Sequence, residues 1–112
     1  TITGVEIHHN CARGVNINGG TRVHVTNCHI HDNVDEGIRD QAAAGAKAQS
    51  VVITGNVVPK GAGSFPQANS MGGIGGGNAV VAHNVLRGYG TTSDGTTGFE
   101  PGVVKQGNVV GP

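Results

Sequence analysis

Residues able to move protons or hold anions recur at matching places along this chain. The segment Ile7-His8-His9-Asn10-Cys11-Ala12-Arg13-Gly14-Val15 lines up without a gap on Ile30-His31-Asp32-Asn33-Val34-Asp35-Glu36-Gly37-Ile38, which sets His8 over His31 and His9 over Asp32. Continued through Val58 and Leu86, the alignment puts Arg87 in the column of His8 and His31, Lys60 in that of His9 and Asp32, and Tyr89 with Asn10, Asn33 and Gly61. Imidazole gives and takes protons near neutrality, Lys and Arg neutralise a carboxylate, and a phenol assists a leaving oxygen. The row therefore suits acid–base chemistry on an anionic ligand. Lys60, Arg87 and His31 are the candidate catalytic residues, and His8, His9, Asp32 and Tyr89 the candidate substrate-binding residues. Each also has a plainer reading, because a repeat duplicates its surface together with its core, and Asp32-Asn33 and Gly61 suit turns.

Short alternating stretches must position these groups. Val23-His24-Val25, Val51-Val52-Ile53 and Val5-Glu6-Ile7 are rich in β-branched residues and read as strands of three to five residues. Gly, Asn, Asp and Thr separate them and supply turns. No helical period persists. The alanines of 41–48 are interrupted by Gly45 and make a loop with at most one helical turn. With Ile7, Ile30, Val58, Leu86 and Val110 as one column, the steps are 23, 28, 28 and 24 residues. From Val23 to Ile30, Val51 to Val58, Ala79 to Leu86 and Val103 to Val110 the distance is always seven, whereas the other segments vary. This predicts a coil of three short strands per turn, with insertions at its corners. Two long insertions, 59–73 and 87–98, leave one edge on adjacent turns; the count assumes Ile74 and Phe99 in the column of Val15 and Ile38. A repeat of this period defines the whole fold.

Val25-Thr26-Asn27-Cys28-His29-Ile30, Ile53-Thr54-Gly55-Asn56-Val57-Val58 and Val81-Ala82-His83-Asn84-Val85-Leu86 carry a Val-x-Ile-x-x-Asn-x-Ile type of repeat. With these residues the chain resembles the right-handed parallel β-helices of the pectate-lyase-like superfamily. The resemblance implies an all-β single solenoid of about four to five rungs, its equivalent residues stacked about 4.8 Å apart. It also implies an asparagine ladder through Val5, Cys28, Asn56, Asn84 and Asn108. Enzymes of this fold bind acidic polysaccharides in grooves along the coil. The implied function is a carbohydrate-active module that binds an extracellular acidic polysaccharide and, as an enzyme, cleaves it as a lyase by β-elimination or as a hydrolase. Lys60 and Arg87 on adjacent rungs are similar in type to the Lys and Arg pairs of such lyases. A non-catalytic spacer, an end-to-end filament and a phage or cell-surface spike are the alternatives, since this fold hosts many functions. The implied location is extracellular or at the cell surface.

Composition narrows the field. With 3% aromatic residues and 21 glycines in 112 residues, the core must be thin and aliphatic. One domain, 1–112, is expected, part of a longer solenoid, because neither end offers a helix to cap the coil. Uncapped rungs would also permit end-to-end self-association. A net charge of zero supplies no global field to steer a polyanion, and no nucleic-acid partner is expected. No apolar run suits a membrane span. Cys11 and Cys28 fall in different columns, which argues against a disulfide. Metal ligation is not expected, because His24, His29 and His83 lie outside the His8 and His31 column and no third ligand has zinc-like spacing. No cofactor is expected; calcium alone stays open, with Asp32, Asp35, Glu36 and Asp40 close in sequence but without a calcium-loop pattern. Gly72-Gly73-Ile74-Gly75-Gly76-Gly77-Asn78 lacks the ending of a phosphate-binding loop and reads as tight corners. Ser64 and Ser93 have no serine-hydrolase context.

Overall fold

The computed structural model describes residues 1–61, 66–75 and 77–112; Ser64 and Gly76 lie outside them. The described elements are all strands: β1 (Ile2–Thr3), β2 (Glu6–His8), β3 (Val15–Ile17), β4 (His24–Thr26), β5 (His29–His31), β6 (Glu36–Asp40), β7 (Val52–Thr54), β8 (Asn69–Gly72), β9 (Val80–Ala82), β10 (Thr96–Thr97) and β11 (Val104–Gln106). They form three faces of one coil. The first face runs β1-β4-β7-β9-β11, the second β10-β8-β6-β3, and the third β2-β5, which single parallel bridges extend through Val57, Val85 and Val109. All strand pairs are parallel, and each turn bonds to the turns above and below it. About four turns stack this way.

Alternation fills the interior. Val25, Ile53 and Val81 pair in one column and are each 0% exposed; Ile30, Val58 and Leu86 form another and are equally buried. The thin aliphatic core expected from composition is what forms, with Ile38, Met71 and Ile74 its largest fully buried additions from the second face.

The constant seven-residue segment has a backbone cause. Its entry corner places Arg22, Ser50, Asn78 and Gly102 at φ of 58°, 53°, 59° and 96°. The exit corner of its first strand, three residues before Ile7, Ile30, Val58, Leu86 and Val110, places Gly4, Asn27, Gly55, His83 and Gly107 at φ between 54° and 70°. Left-handed residues turn the chain sharply at both ends, so the strand between them keeps one length. Immediately after the exit corner comes the asparagine ladder. Asn56 Oδ1 accepts the N–H of Cys28 at 2.9 Å, Asn84 Oδ1 accepts that of Asn56 at 3.0 Å, and Asn108 Oδ1 accepts that of Asn84 at 3.0 Å. Each amide nitrogen donates inward to a carbonyl, as Asn56 to Val25 and Asn84 to Ile53.

Two expectations about register are corrected. Ile38 pairs with Met71, not Ile74, and Met71 pairs with Thr96, so Ile74 and Phe99 sit three residues further along the second face. The displaced Ile74 is still 0% exposed, which is why its hydropathy alone suggested the strand. Gly61 does not continue the column of Asn10 and Asn33. Gln67, from the first long insertion, takes that place: Asn10 Nδ2 donates to Asn33 Oδ1 at 2.9 Å, and Asn33 Nδ2 donates to Gln67 Oε1 at 2.7 Å. Residues 41–48 form a loop whose backbone N–H groups at Ala42 and Ala48 donate to the Asp40 carboxylate at 3.0 and 2.7 Å.

Candidate functional site

The sequence-derived candidates fall into two groups along one edge. The first gathers on the outer side of β2 and β5. Ile7 and Ile30 point into the core, so alternation sends Glu6, His8, His29 and His31 outward. The His8 and His31 rings stack with centroids 5.0 Å apart and planes 3° from parallel. His9 follows at the corner with φ 57°, its Nδ1 2.6 Å from that of His8.

His31 is the best-tethered member. Its Nδ1 lies 2.6 Å from Asp32 Oδ2 and its Nε2 lies 2.9 Å from Glu6 Oε1. The hydrogen bond to Asp32 raises its pKa, partial burial opposes that, and the bond to Glu6 adds to the rise. The Glu6 carboxyl is correspondingly lowered, chiefly by His31. With a carboxylate at each nitrogen, both ring positions of His31 are engaged within the protein.

The second group is Lys60, Arg87 and Tyr89. The Lys60 N–H donates to the Arg87 carbonyl at 2.9 Å, which places the two cations on adjacent rungs as expected. Arg87 is exposed, and neither side chain has a carboxylate partner among the described residues. The Lys60 ammonium lies 6.0 Å from the Tyr89 ring centroid. Tyr89 differs from its expected role, because its hydroxyl turns inward. It donates to the Val58 carbonyl at 3.1 Å and accepts from Gln67 Nε2 at 3.2 Å. Burial pushes its pKa well above the usual phenol range, partly offset by Gln67. Gly95 packs against the Tyr89 ring, so close that an added Cβ would overlap the ring carbons, and the Tyr89 hydroxyl is committed to the fold.

Asp32 joins the two groups: its carboxylate rests against Gly61, where an added Cβ would come within 2.5 Å of Oδ1. The edge is an open surface, with no enclosed pocket among the described residues. From the first insertion, Gln67 is fastened to the coil: its Nε2 also donates to the Pro59 carbonyl at 2.9 Å and to the Ile30 carbonyl at 3.3 Å.

The acidic residues considered for calcium face different partners. Glu36 is held by Arg39 at 2.6 Å and Arg13 at 3.3 Å, Asp40 by backbone N–H groups, and Asp32 by His31. Both cysteines are free, Cys11 exposed and Cys28 buried in the ladder column. Glu6 and His29 are the site residues that column-by-column reading missed. The signal was present in Glu6-Ile7-His8 over His29-Ile30-His31, where residues two apart share a face.

No helix among the described residues is long and apolar enough to cross a membrane. A family model described as a right handed beta helix region matches residues 1–103. No curated protein and no solved structure matches the chain.

Proposed function

This chain belongs to the right-handed β-helix family, and we propose that it is a carbohydrate-active member of the pectate-lyase-like kind, binding an acidic polysaccharide along its loop-bearing edge. The observation that supports this reading is the pairing of Lys60 and Arg87 on adjacent rungs, both without a carboxylate partner among the described residues. Two cations on adjacent rungs, one column apart, offer two anchor points to an extended chain of uronate carboxylates. An open edge suits a polymer that lies across it. Such a ligand would place the protein outside the cell or at its surface.

Binding is favoured over cleavage. An eliminating enzyme needs a base and a proton donor at the leaving oxygen, yet His31 is held between two carboxylates and the Tyr89 hydroxyl is spent on Val58. The test is calorimetric titration with polygalacturonate, alginate and a neutral glucan, with ultraviolet absorbance followed for the unsaturated sugar that elimination leaves. Affinity for the acidic polymers alone, weakened by salt, is expected. Lys60→Ala and Arg87→Ala should each weaken it about fivefold, equivalent to about 1 kcal/mol. Equal affinity for the neutral glucan, or no effect in the double variant, would sink the proposal and leave a structural solenoid as the reading. Rising absorbance would establish a lyase.

A further inference from the structure

We propose that Glu6, His29 and His31 form a binding site for a divalent transition-metal ion of the zinc type, independent of any polysaccharide. Their ligand atoms, one from each residue, all lie within 4.8 Å of one another. The arrangement follows from the sheet. Glu6 and His29 are direct partners across the β2–β5 pair, and His31 stands two residues beyond His29 on the same outward face. A cross-strand pair and its diagonal thus converge from two strands whose other faces are anchored by Ile7 and Ile30 in the core.

Three features separate this triangle from a chance cluster. The donors are two imidazoles and one carboxylate, a set that suits zinc and its neighbours rather than calcium, which takes oxygen ligands. Asp32 supplies the outer contact that orients a metal-binding histidine: with Nδ1 bonded to Asp32 Oδ2 at 2.6 Å, His31 presents Nε2 to Glu6 and His29. The His8 ring, stacked parallel on His31, holds the plane of that imidazole from the other side. A bound cation takes the position now held by the hydrogen shared between His31 Nε2 and Glu6 Oε1, which are 2.9 Å apart.

Tetrahedral zinc bonds of about 2.0 to 2.1 Å need donors closer than 4.8 Å. Glu6 Oε1 and His31 Nε2 already lie 2.9 Å apart, and the exposed side chains of Glu6 and His29 close on the ion by rotamer changes while the backbone of the paired strands stays in place. Three protein ligands leave the fourth position to water or to an anionic ligand, as in open zinc sites. The exposed surroundings of Glu6 and His29 leave that position reachable.

The test uses the intact chain, with zinc chloride titrated by calorimetry and cobalt(II) followed by its visible absorption. One equivalent should bind saturably, and cobalt should give the spectrum of a low-coordinate nitrogen and oxygen site. His29→Ala, an exposed change that leaves the core untouched, should weaken zinc binding more than about tenfold, as should Glu6→Gln. Asp32→Asn removes no ligand but should weaken zinc about tenfold through His31. His24→Ala, His83→Ala and Cys11→Ser should leave the affinity as it was. Unaltered affinity in folded His29→Ala, or a loss of the same size in His83→Ala, would overturn the proposal. Either result would leave the reading of the Lys60 and Arg87 edge where it stands.

Discussion

Asn84 shows how much one amide contributes to this coil. Its Oδ1 accepts both the backbone N–H and the side-chain N–H of Asn56 at 3.0 Å, and its own Nδ2 donates to the Ile53 carbonyl at 3.0 Å. The residue is 0% exposed, so no water replaces those partners. Asn84→Ala should therefore cost about 2 to 4 kcal/mol, because a buried N–H and a buried carbonyl lose their partners together. Asn108→Ala, on a partly buried rung, should cost clearly less. Urea unfolding of the two variants measures this; equal and small shifts in midpoint would contradict it. The ladder was legible in the sequence because Asn56, Asn84 and Asn108 recur at a constant place. The fate of Tyr89 was not. Nothing in its neighbours Gly88 and Gly90 indicates that its hydroxyl bonds to Val58, since that contact joins residues 31 apart.

The insertion 87–98 is an element with its own chemistry. Asp94 accepts from the N–H of Thr96 at 3.0 Å and from its hydroxyl at 2.7 Å, while Lys105 Nζ reaches its other oxygen at 2.9 Å. Lys105 stands in the column of Val81, Ile53 and Val25, and its ammonium lies 5.6 Å from the Phe99 ring centroid. The last turn is thus tied to the insertion. Burial raises the Asp94 pKa, but the bonds to Lys105 and Thr96 outweigh it and the net shift is downward. A carboxyl whose folded pKa is lowered stabilises the fold above its unfolded value of about 3.9, and that contribution is lost as pH falls through the folded pKa. The urea midpoint should accordingly drop more between about pH 6 and pH 3 in the wild type than in Asp94→Asn. Parallel pH profiles would refute the coupling. At this scale the sequence located both insertions but set their ends three residues late, because Met71 and Ile74 are both buried and hydropathy does not say which lies opposite Ile38.

In the whole molecule, each turn touches only its neighbours, so stability is close to a sum of turns and interfaces between them. Inner strands such as β7 are paired on both sides, whereas β1 and β11 each have one partner in their sheet. In native-state hydrogen exchange, the amides of Ile53 and Val58 should be the slowest and those of Val104 and Lys105 among the fastest. Uniform protection along the chain would show that the coil opens as a single unit. Sequence by itself determined the coil, its three short strands per turn, its thin aliphatic core and its asparagine ladder. These depend on repeated local choices: β-branched residues alternating inward, corner residues such as Gly55 and Asn27 turning left-handed, and an amide after each turn. It also put Lys60 and Arg87 on adjacent rungs. Only the tertiary structure decided what the outward side chains do. Stacking brings Glu6 and His29, 23 residues apart, onto one patch with His31 and sets a carboxylate at each of its ring nitrogens. It sends Gln67 into the place expected for Gly61 and turns the Tyr89 hydroxyl inward. Such outcomes depend on rotamers and on insertions without a repeat partner, and a periodic pattern carries no information about either.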